Sequence, residues 1–249
     1  MLPAPALADV EHWLERLYVD AAGATLRRED RRKAVEVTAM LAEIARASRA
    51  DATLVDAAAG KSYVGLLAAK LVLEPAGGGG RVLTLERDPA RAALASAIAA
   101  RLASRVPIEC RAADVGDAAA WPQRPDVVAA LHACGPAADA IIERAIAAEA
   151  RRLLLVPCCT SDEIPAAAHA LARAERDGIP RHAPVRRRFV QALVDAERTL
   201  VLEAAGYETE VVELCPPTVT PHNLLWRARR VAEPGRMADA RATLARLRG

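Results

Sequence analysis

Acidic residues stand at or just after the ends of three short strand-like runs in the first half of the sequence. The acids are Asp56, Glu86 and Asp114, and the runs are 52–55, 81–85 and 108–112. A carboxylate accepts hydrogen bonds from hydroxyl and amino groups and attracts cations. Three carboxylates in one place could therefore hold a polar ligand that carries several such groups, provided that the fold brings the ends of the three runs together.

A turn of small residues follows the first of these acids. Residues 55–62 read Val-Asp-Ala-Ala-Ala-Gly-Lys-Ser and lead into a helical pattern at Tyr63. Small residues let a ligand approach the backbone, and the first N–H groups of a helix are free to bind an anion. A dinucleotide fingerprint needs glycines that Ala58 and Tyr63 do not supply, and a phosphate-binding loop ending in Gly-Lys-Ser needs a glycine where Val55 stands. A tight turn with no ligand is the third alternative.

A histidine and three cysteines form a second group of reactive side chains. These are His132, Cys134, Cys158 and Cys159, which follow the apolar runs 126–131 and 152–156. The imidazole could act as a base or orient a substrate. The thiols allow a nucleophilic thiolate, a zinc site shared with the imidazole, or small buried side chains with no chemical role. Adjacent cysteines are poor partners for one tetrahedral ion, so no metal is predicted.

The apolar runs alternate with helical patterns, which indicates a parallel sheet. The predicted strands are 52–56, 81–86, 108–112, 126–131 and 152–156, and the predicted helices after them are 63–73, 89–103, 137–148 and 189–205. Such βαβ units form parallel sheets whose strands are buried on both faces. Two last strands, 207–214 and 223–229, have no helix between them and suggest an antiparallel edge hairpin. The prediction is an α/β fold with a doubly wound, mostly parallel sheet of seven strands, in which ligands bind at the carboxyl ends of the strands.

The flanking segments complete the predicted organisation. Residues 1–50 are expected to be a helical N-terminal extension, with a polar break at 27–32 between two helices. The ligand-binding domain is expected over 51–232 and a C-terminal helix over 233–249.

Composition restricts the class of protein more than the choice of partner. An apolar fraction of 53% over 249 residues supplies a large core, whereas 3% aromatic residues argue against a surface on which bases stack. Five cysteines with no secretory segment favour a reducing, cytoplasmic location and free thiols, and no apolar run is long enough to cross a membrane. The net charge of +2 says little about partners.

Basic residues cluster in two places. Arg181, Arg186, Arg187 and Arg188 are expected in a loop between two helices, and Arg31, Arg32 and Lys33 stand ahead of the first strand. Bidentate arginines could contact phosphates of RNA or an acidic protein surface. A solvated basic segment is the alternative.

Several motifs together resemble one family. The helix Arg31-Arg-Lys-Ala-Val-Glu-Val37, the loop Leu54–Ala68, the segment Leu131-His-Ala-Cys-Gly135 with Asp139, the pair Cys158-Cys159 and the element Thr220-Pro-His-Asn223 resemble signatures of the methyltransferase-like 25 group. The resemblance spans roughly residues 30–230. Ala58 departs from it, because the group usually has glycine there, and a backbone with positive φ would disfavour alanine.

The resemblance implies a class I methyltransferase that uses S-adenosylmethionine (SAM). The cofactor residues implied are Asp56, Ala58, Gly60, Lys61, Ser62, Glu86, Asp114, Leu131 and His132, and the catalytic candidates are His132, Cys134 and Cys158. Asp56 would meet the amino group of the cofactor, Glu86 the ribose hydroxyls and Asp114 the adenine amino group. The acceptor is expected to be RNA or protein. A small-molecule methyltransferase and a non-catalytic SAM-fold module associated with RNA or ribosomes are the alternatives.

Overall fold

The structure, a computed structural model, describes residues 1–19, 25–159 and 163–249, without the side chain of Cys159. The helices are α1 (Leu7–Tyr18), α2 (Arg28–Ala47), α3 (Tyr63–Ala68), α4 (Pro89–Leu102), α5 (Pro136–Ala147), α6 (Pro165–Arg176), α7 (Ala183–Ala204) and α8 (Pro234–Arg248). The strands are β1 (Thr53–Ala57), β2 (Arg81–Glu86), β3 (Ile108–Ala112), β4 (Val127–Cys134), β5 (Arg152–Cys159), β6 (Tyr207–Glu213) and β7 (Leu224–Arg230). A π-helical turn, Ala69–Leu73, continues α3, and a 3₁₀ turn covers Ala118–Ala120.

The seven strands form one sheet in the order β3-β2-β1-β4-β5-β7-β6. Strands β1 to β5 pair in parallel, and β7 lies antiparallel between β5 and β6. The predicted fold and the edge hairpin are therefore confirmed. The strand order reverses between β1 and β4, which is where a parallel sheet of this kind opens a crevice for ligands.

Both faces of the sheet are buried, and neighbouring residues of one strand serve different cores. Leu54 packs with α1, α2, α3 and α4, whereas Val55 packs with α5 and α7. Leu154 and Leu155 of β5 divide in the same way. This alternation requires apolar side chains at every strand position, which explains the uninterrupted apolar runs in the sequence.

Two segments that the sequence predicts to lie outside helices are helical in the structure. Helix α2 begins at Arg28, so the predicted break at 27–32 is wrong. Acidic residues in the first turn stabilise the amino end of the helix, and Asp30 accepts a hydrogen bond of 3.0 Å from the Arg27 N–H. Helix α7 begins at Ala183 with a proline in its first turn, so residues 186–188 lie in a helix and not in the expected loop.

Helix α2 packs directly on the sheet. Val37, Met40, Leu41 and Ile44 are fully buried in the same core as Leu54.

The domain boundary expected at residue 50 stays a prediction, as does the boundary at 232. Within the described ranges, no helix is long and apolar enough to cross a membrane.

Gly65 allows the first turn of α3 to lie against the sheet. A Cβ atom at this position would stand 2.8 Å from Cγ2 of Thr84 and 3.0 Å from both Cβ and Oδ2 of Asp56. Its N–H donates a hydrogen bond of 2.8 Å to Oδ2 of the same Asp56. Any side chain here would therefore displace the acid at the end of β1.

We expect Gly65→Ala to lower the free energy of unfolding by about 1–3 kcal/mol, because the new methyl group has no room between α3 and the side chains of Asp56 and Thr84. Gly235→Ala is the matched control, since it lies in a helix and has no atom within 4 Å of its added Cβ. The control should be neutral or stabilising by up to about 1 kcal/mol. Denaturant titration of both variants measures the difference, and equal stabilities would contradict the close packing at Gly65.

Candidate active site

A cavity of about 920 Å³ opens at the carboxyl ends of β1, β2 and β4. The predicted acids Asp56, Glu86 and Asp114 all line it, as do Ala58, Gly60, Lys61, Leu131, His132 and Cys134. Strands that are distant in sequence therefore bring most of the predicted site residues to one space. Ser62 and Cys158 are outside its lining.

Asp56 lies at the bottom of this cavity and is only 2% exposed. Burial raises the pKa of its carboxyl group to about 7, an effect that the hydrogen bond from the Gly65 N–H opposes and the nearby charge of Glu86 reinforces. Among the described residues, no lysine, arginine or histidine lies within ion-pair distance of Asp56. The site therefore contains a buried acid that a cationic ligand group would convert fully to its ionised form.

The other two acids are held by backbone hydrogen bonds. Glu86 accepts from the N–H of Gly60 at 2.7 Å and from that of Asp88 at 3.0 Å, one on each carboxylate oxygen. Asp114 accepts from the N–H of Gly116 at 2.8 Å. A carboxylate has about four acceptor positions, so both acids keep positions for hydroxyl or amino groups of a ligand.

Every second residue of the loop after β1, from Ala58 to Ser62, has a left-handed backbone conformation. Ala58, Gly60 and Ser62 have φ of 54°, 57° and 58°. The geometry at Ala58 is thus the one that disfavours alanine, and it places one strained residue in the wall of the cavity. Gly60 faces open space, since no atom lies within 4 Å of a Cβ built on it.

The remaining loop residues differ in what they offer the cavity. The carbonyl oxygen of Lys61 accepts a hydrogen bond from the Tyr18 hydroxyl at 2.9 Å, which ties the loop to α1. Lys61 Nζ lies 5.9 Å from the centre of the Tyr63 ring. Ser62 is fully buried, and its hydroxyl has no hydrogen-bond partner among the described residues.

His132 occupies an irregular position in β4. The parallel register with β5 shifts between Leu131 and Ala133, and His132 between them has φ of 64°. In a regular strand neighbouring side chains point to opposite faces, whereas Leu131 and His132 both line the cavity. The bulge therefore turns the imidazole into the site.

Glu36 of α2 contacts this imidazole. Its Oε2 lies 2.6 Å from Nε2 of His132 and 2.5 Å from Nζ of Lys33, and the residue is only 5% exposed. Burial alone would raise the pKa of Glu36, but the hydrogen bonds from His132 and Lys33 outweigh it and hold the pKa below its ordinary value.

Cys134 and Cys158 are paired across β4 and β5. They form a disulfide whose Cα atoms are 5.4 Å apart, while Cys110 and Cys215 are free. The expectation of free thiols is therefore wrong for this pair. Disulfide sulfurs carry no thiolate, so neither residue is a nucleophile in this state. The side chain of Cys159 lies outside the described residues.

The sequence matches the profile of a known family, described as "Methyltransferase domain", over residues 31–163, which is more than half of the chain. The chain belongs to this methyltransferase-domain family. The matched segment runs from α2 to just beyond β5, so it contains the acids, the loop and His132. Comparison with curated proteins gives no match.

Solved structures share the fold of this methyltransferase domain. Magnesium protoporphyrin IX methyltransferase from Synechocystis PCC 6803, with bound SAH, superposes with a TM-score of 0.52 and 13% identity over 90% of this chain and 99% of that one. An O-methyltransferase from Bacillus cereus, in complex with SAH, gives 0.53 and 12% over 91% and 92%. Both support the fold expected from the sequence.

The basic residues expected to bind an acceptor lie outside the cavity lining of the methyltransferase domain. Arg186 donates to the carbonyl oxygen of Ile179 at 3.3 Å and lies 3.6 Å from Glu175, whereas Arg187 and Arg188 are exposed. Arg181 is exposed before α7. Of the group at 31–33, only Lys33 lines the cavity.

Sequence reasoning missed Glu36 as a site residue. A signal was available, because the glutamate stands between Val35 and Val37, three residues after Lys33, on a helix face that must be buried. The partner, His132, is 96 residues away, so only the fold brings the two together. Arg87, Arg91 and Glu163, which also line the cavity, were missed as well.

We expect Ala58→Gly to leave the free energy of unfolding unchanged or to raise it slightly. Glycine removes a left-handed strain of roughly 1 kcal/mol, and this gain offsets the greater conformational freedom that glycine gives to the unfolded chain. Ala59→Gly is the control, since Ala59 has no positive φ and should lose about 0.5–1 kcal/mol. Denaturant titration compares the two. If the variants lose stability equally, the backbone at 58 is not strained.

Proposed function

We propose that the protein transfers a methyl group from SAM to an acceptor, with RNA or protein as the favoured acceptor. The observation that carries the proposal is one cavity that joins Asp56, Glu86 and Asp114 with a turn of small residues in a methyltransferase domain. SAM carries an amino group, a carboxylate, two ribose hydroxyls and an adenine amino group, for which these residues supply partners.

The buried carboxyl group of Asp56 is the feature of the cavity that most closely matches a group of SAM. Asp56 needs a cation to be ionised without cost, and the amino group of the methionine portion supplies one. Glu86 accepts from the ribose hydroxyls with the positions that Gly60 and Asp88 leave open. Asp114 accepts from the adenine amino group, and N–H groups at the start of α3 receive the carboxylate.

When bound, SAM supplies a methyl group on a positively charged sulfur that is open to in-line attack. The residues of this chain hold the reactants in line and exclude water, which supplies much of the rate of such a reaction. His132, at the bulge of β4, accepts the proton of the acceptor or orients it. Cys134 and Cys158 take no part as thiolates while they form the disulfide.

Exposed arginines at the start of α7 support a macromolecular acceptor. Arg187 and Arg188, with Arg181 before the helix, could contact phosphates of RNA or carboxylates of a protein. The combined motifs, with Lys33 and His132 in the cavity lining and Glu36 in contact with both, also support membership of the methyltransferase-like 25 group. A small-molecule acceptor and a non-catalytic module are the outcomes that would replace this proposal.

The affinity for SAM should rise about tenfold between pH 5.5 and pH 7, because the bound amino group requires ionised Asp56 and its pKa is raised to about 7 in the free protein. Protonation of Asp56 as the pH falls removes the partner of this cation. Isothermal titration at several pH values measures the effect, and Asp56→Asn should bind more weakly at pH 7 and lose the pH dependence.

Asp114→Asn serves as the matched control. It removes a charge at the adenine end, so it should weaken binding by a similar factor at every pH and retain the slope. Undetectable binding of millimolar SAM by folded wild-type protein would refute the proposed function.

Transfer of tritiated methyl from SAM into an extract of cells that lack the gene identifies the acceptor class. We expect label in macromolecules, removed by nuclease if the acceptor is RNA and by protease if it is protein. Glu86→Ala should abolish labelling through loss of cofactor binding. Label confined to small molecules would establish the small-molecule alternative, and SAM binding without any transfer would favour the non-catalytic module.

A further inference from the structure

The contact between Glu36 and His132 determines which nitrogen of the imidazole carries the proton. An ionised carboxylate can only accept hydrogen bonds, so the ring nitrogen beside it must be the donor. Because Nε2 lies 2.6 Å from Oε2 of Glu36, the neutral ring is protonated at Nε2. Its Nδ1 is then the nitrogen with a free electron pair.

Lys33 makes this arrangement compatible with a neutral imidazole. Its ammonium group lies 2.5 Å from the same carboxylate oxygen, so Glu36 is paired with a cation before the imidazole gains any charge. The side chain of Glu36 is 7% exposed and that of His132 is 21% exposed, which protects the contact from water but leaves the ring open to the cavity.

The backbone around His132 is shaped for the same purpose. A residue other than glycine with φ of 64° is strained, and such strain persists where surrounding structure holds it. Here the bulge in β4 directs the ring into the cavity while α2 supplies the acid that fixes it from behind. Two elements, β4 and α2, therefore fix the position of one imidazole.

We propose that Glu36 is a positioning residue that holds His132 with Nδ1 as proton acceptor, and that the methyl acceptor is a hydroxyl group. This inference rests on the proposed function. As the hydroxyl oxygen forms its bond to the methyl carbon, the carbon–sulfur bond breaks and its electron pair stays on the sulfur. The hydroxyl proton passes to Nδ1 of His132, giving an imidazolium beside the Glu36 carboxylate, and is later released to water.

A hydroxyl is the acceptor that benefits most from this arrangement. Its proton is lost only as the new bond forms, so a base within the cavity assists the step. An amine attacks through the free electron pair of its neutral form and loses a proton only after the new bond has formed, so it depends less on a base during the step. The sequence also lacks the Asn/Asp-Pro-Pro-Tyr element that would favour methylation of an amide or adenine nitrogen.

Any test of the Glu36–His132 pair must distinguish its titration from that of other titratable groups nearby. Lys33 is on the same helix, Asp56 and Glu163 line the cavity, and Cys215 lies after β6. Burial raises the pKa of Cys215, to which the charge of Glu36 adds. Cys134 and Cys158 do not titrate as a disulfide.

We expect Glu36→Gln to lower kcat about 10- to 100-fold with little change in SAM affinity, and His132→Ala to lower it about 100-fold or more. The acid limb of the kcat/KM profile should move to lower pH in Glu36→Gln, because the imidazolium loses its charged partner. Glu36→Asp should recover part of the activity. The double variant should be no slower than His132→Ala, because Glu36 acts through the imidazole.

Glu43→Gln is the matched control on the same helix. Glu43 is also buried and paired with two arginines, Arg46 and Arg227, and it lies outside the lining of this cavity. The control should leave the pH profile and kcat unchanged. A further loss of activity when Glu36→Gln is added to His132→Ala would overturn the positioning role.

A nuclear magnetic resonance measurement tests the arrangement without any acceptor. The ¹⁵N shifts and long-range couplings of the His132 ring should show protonation at Nε2 in the wild type, a change in Glu36→Gln, and no change in Glu43→Gln. Protonation at Nδ1 in the wild type would overturn the inference even if SAM binds. Loss of SAM binding with the expected ring state would instead refute only the proposed function.

Mass spectrometry of the labelled product decides the acceptor atom. A methyl ether on a ribose, serine, threonine or tyrosine oxygen is expected. Methyl on nitrogen, carbon or sulfur would overturn the hydroxyl assignment while leaving methyl transfer from SAM intact.

Discussion

Burial of both faces of the parallel sheet is the constraint on which the rest of the structure depends. Strands β1, β2, β4 and β5 are covered by helices on both faces, so their charged side chains are confined to the strand ends. Asp56 and Glu86 occupy those ends, and the shared direction of the strands gathers them at one edge. The same burial that stabilises the fold raises the pKa of Asp56 and prepares it for a cationic ligand.

Backbone strain is concentrated at the same edge. Ala58 and His132 both adopt left-handed conformations, one in the loop after β1 and the other at the bulge of β4. Each conformation costs free energy, and the packing of the surrounding sheet offsets this cost. At Ala58 the turn leaves the backbone close to the cavity, and at His132 the bulge brings a second consecutive side chain into it.

Helix α2 is fixed to the sheet by two buried acids on one face. Glu36 contacts His132 of β4, and Glu43, two turns later, accepts hydrogen bonds of 2.8 and 2.9 Å from Arg227 of β7. Buried charges of this kind are costly unless paired, so the position of the helix is restricted to one in which both acids are satisfied. The buried Val37 and Met40 hold the same helix on the sheet, so that Lys33 lines the cavity and Glu36 contacts His132 from a segment that precedes the first strand.

The sequence by itself determined the architecture, because strand and helix patterns depend on periodic burial that local residues record. It also identified the three acids, the small-residue turn and His132, since these follow the strands directly. It did not determine that α2 begins within the expected break, that Cys134 and Cys158 are paired, or that residues 186–188 are helical. Only the tertiary structure decided that Glu36 contacts His132. The two residues are 96 positions apart in the sequence, and their contact depends on how a helix packs across a sheet.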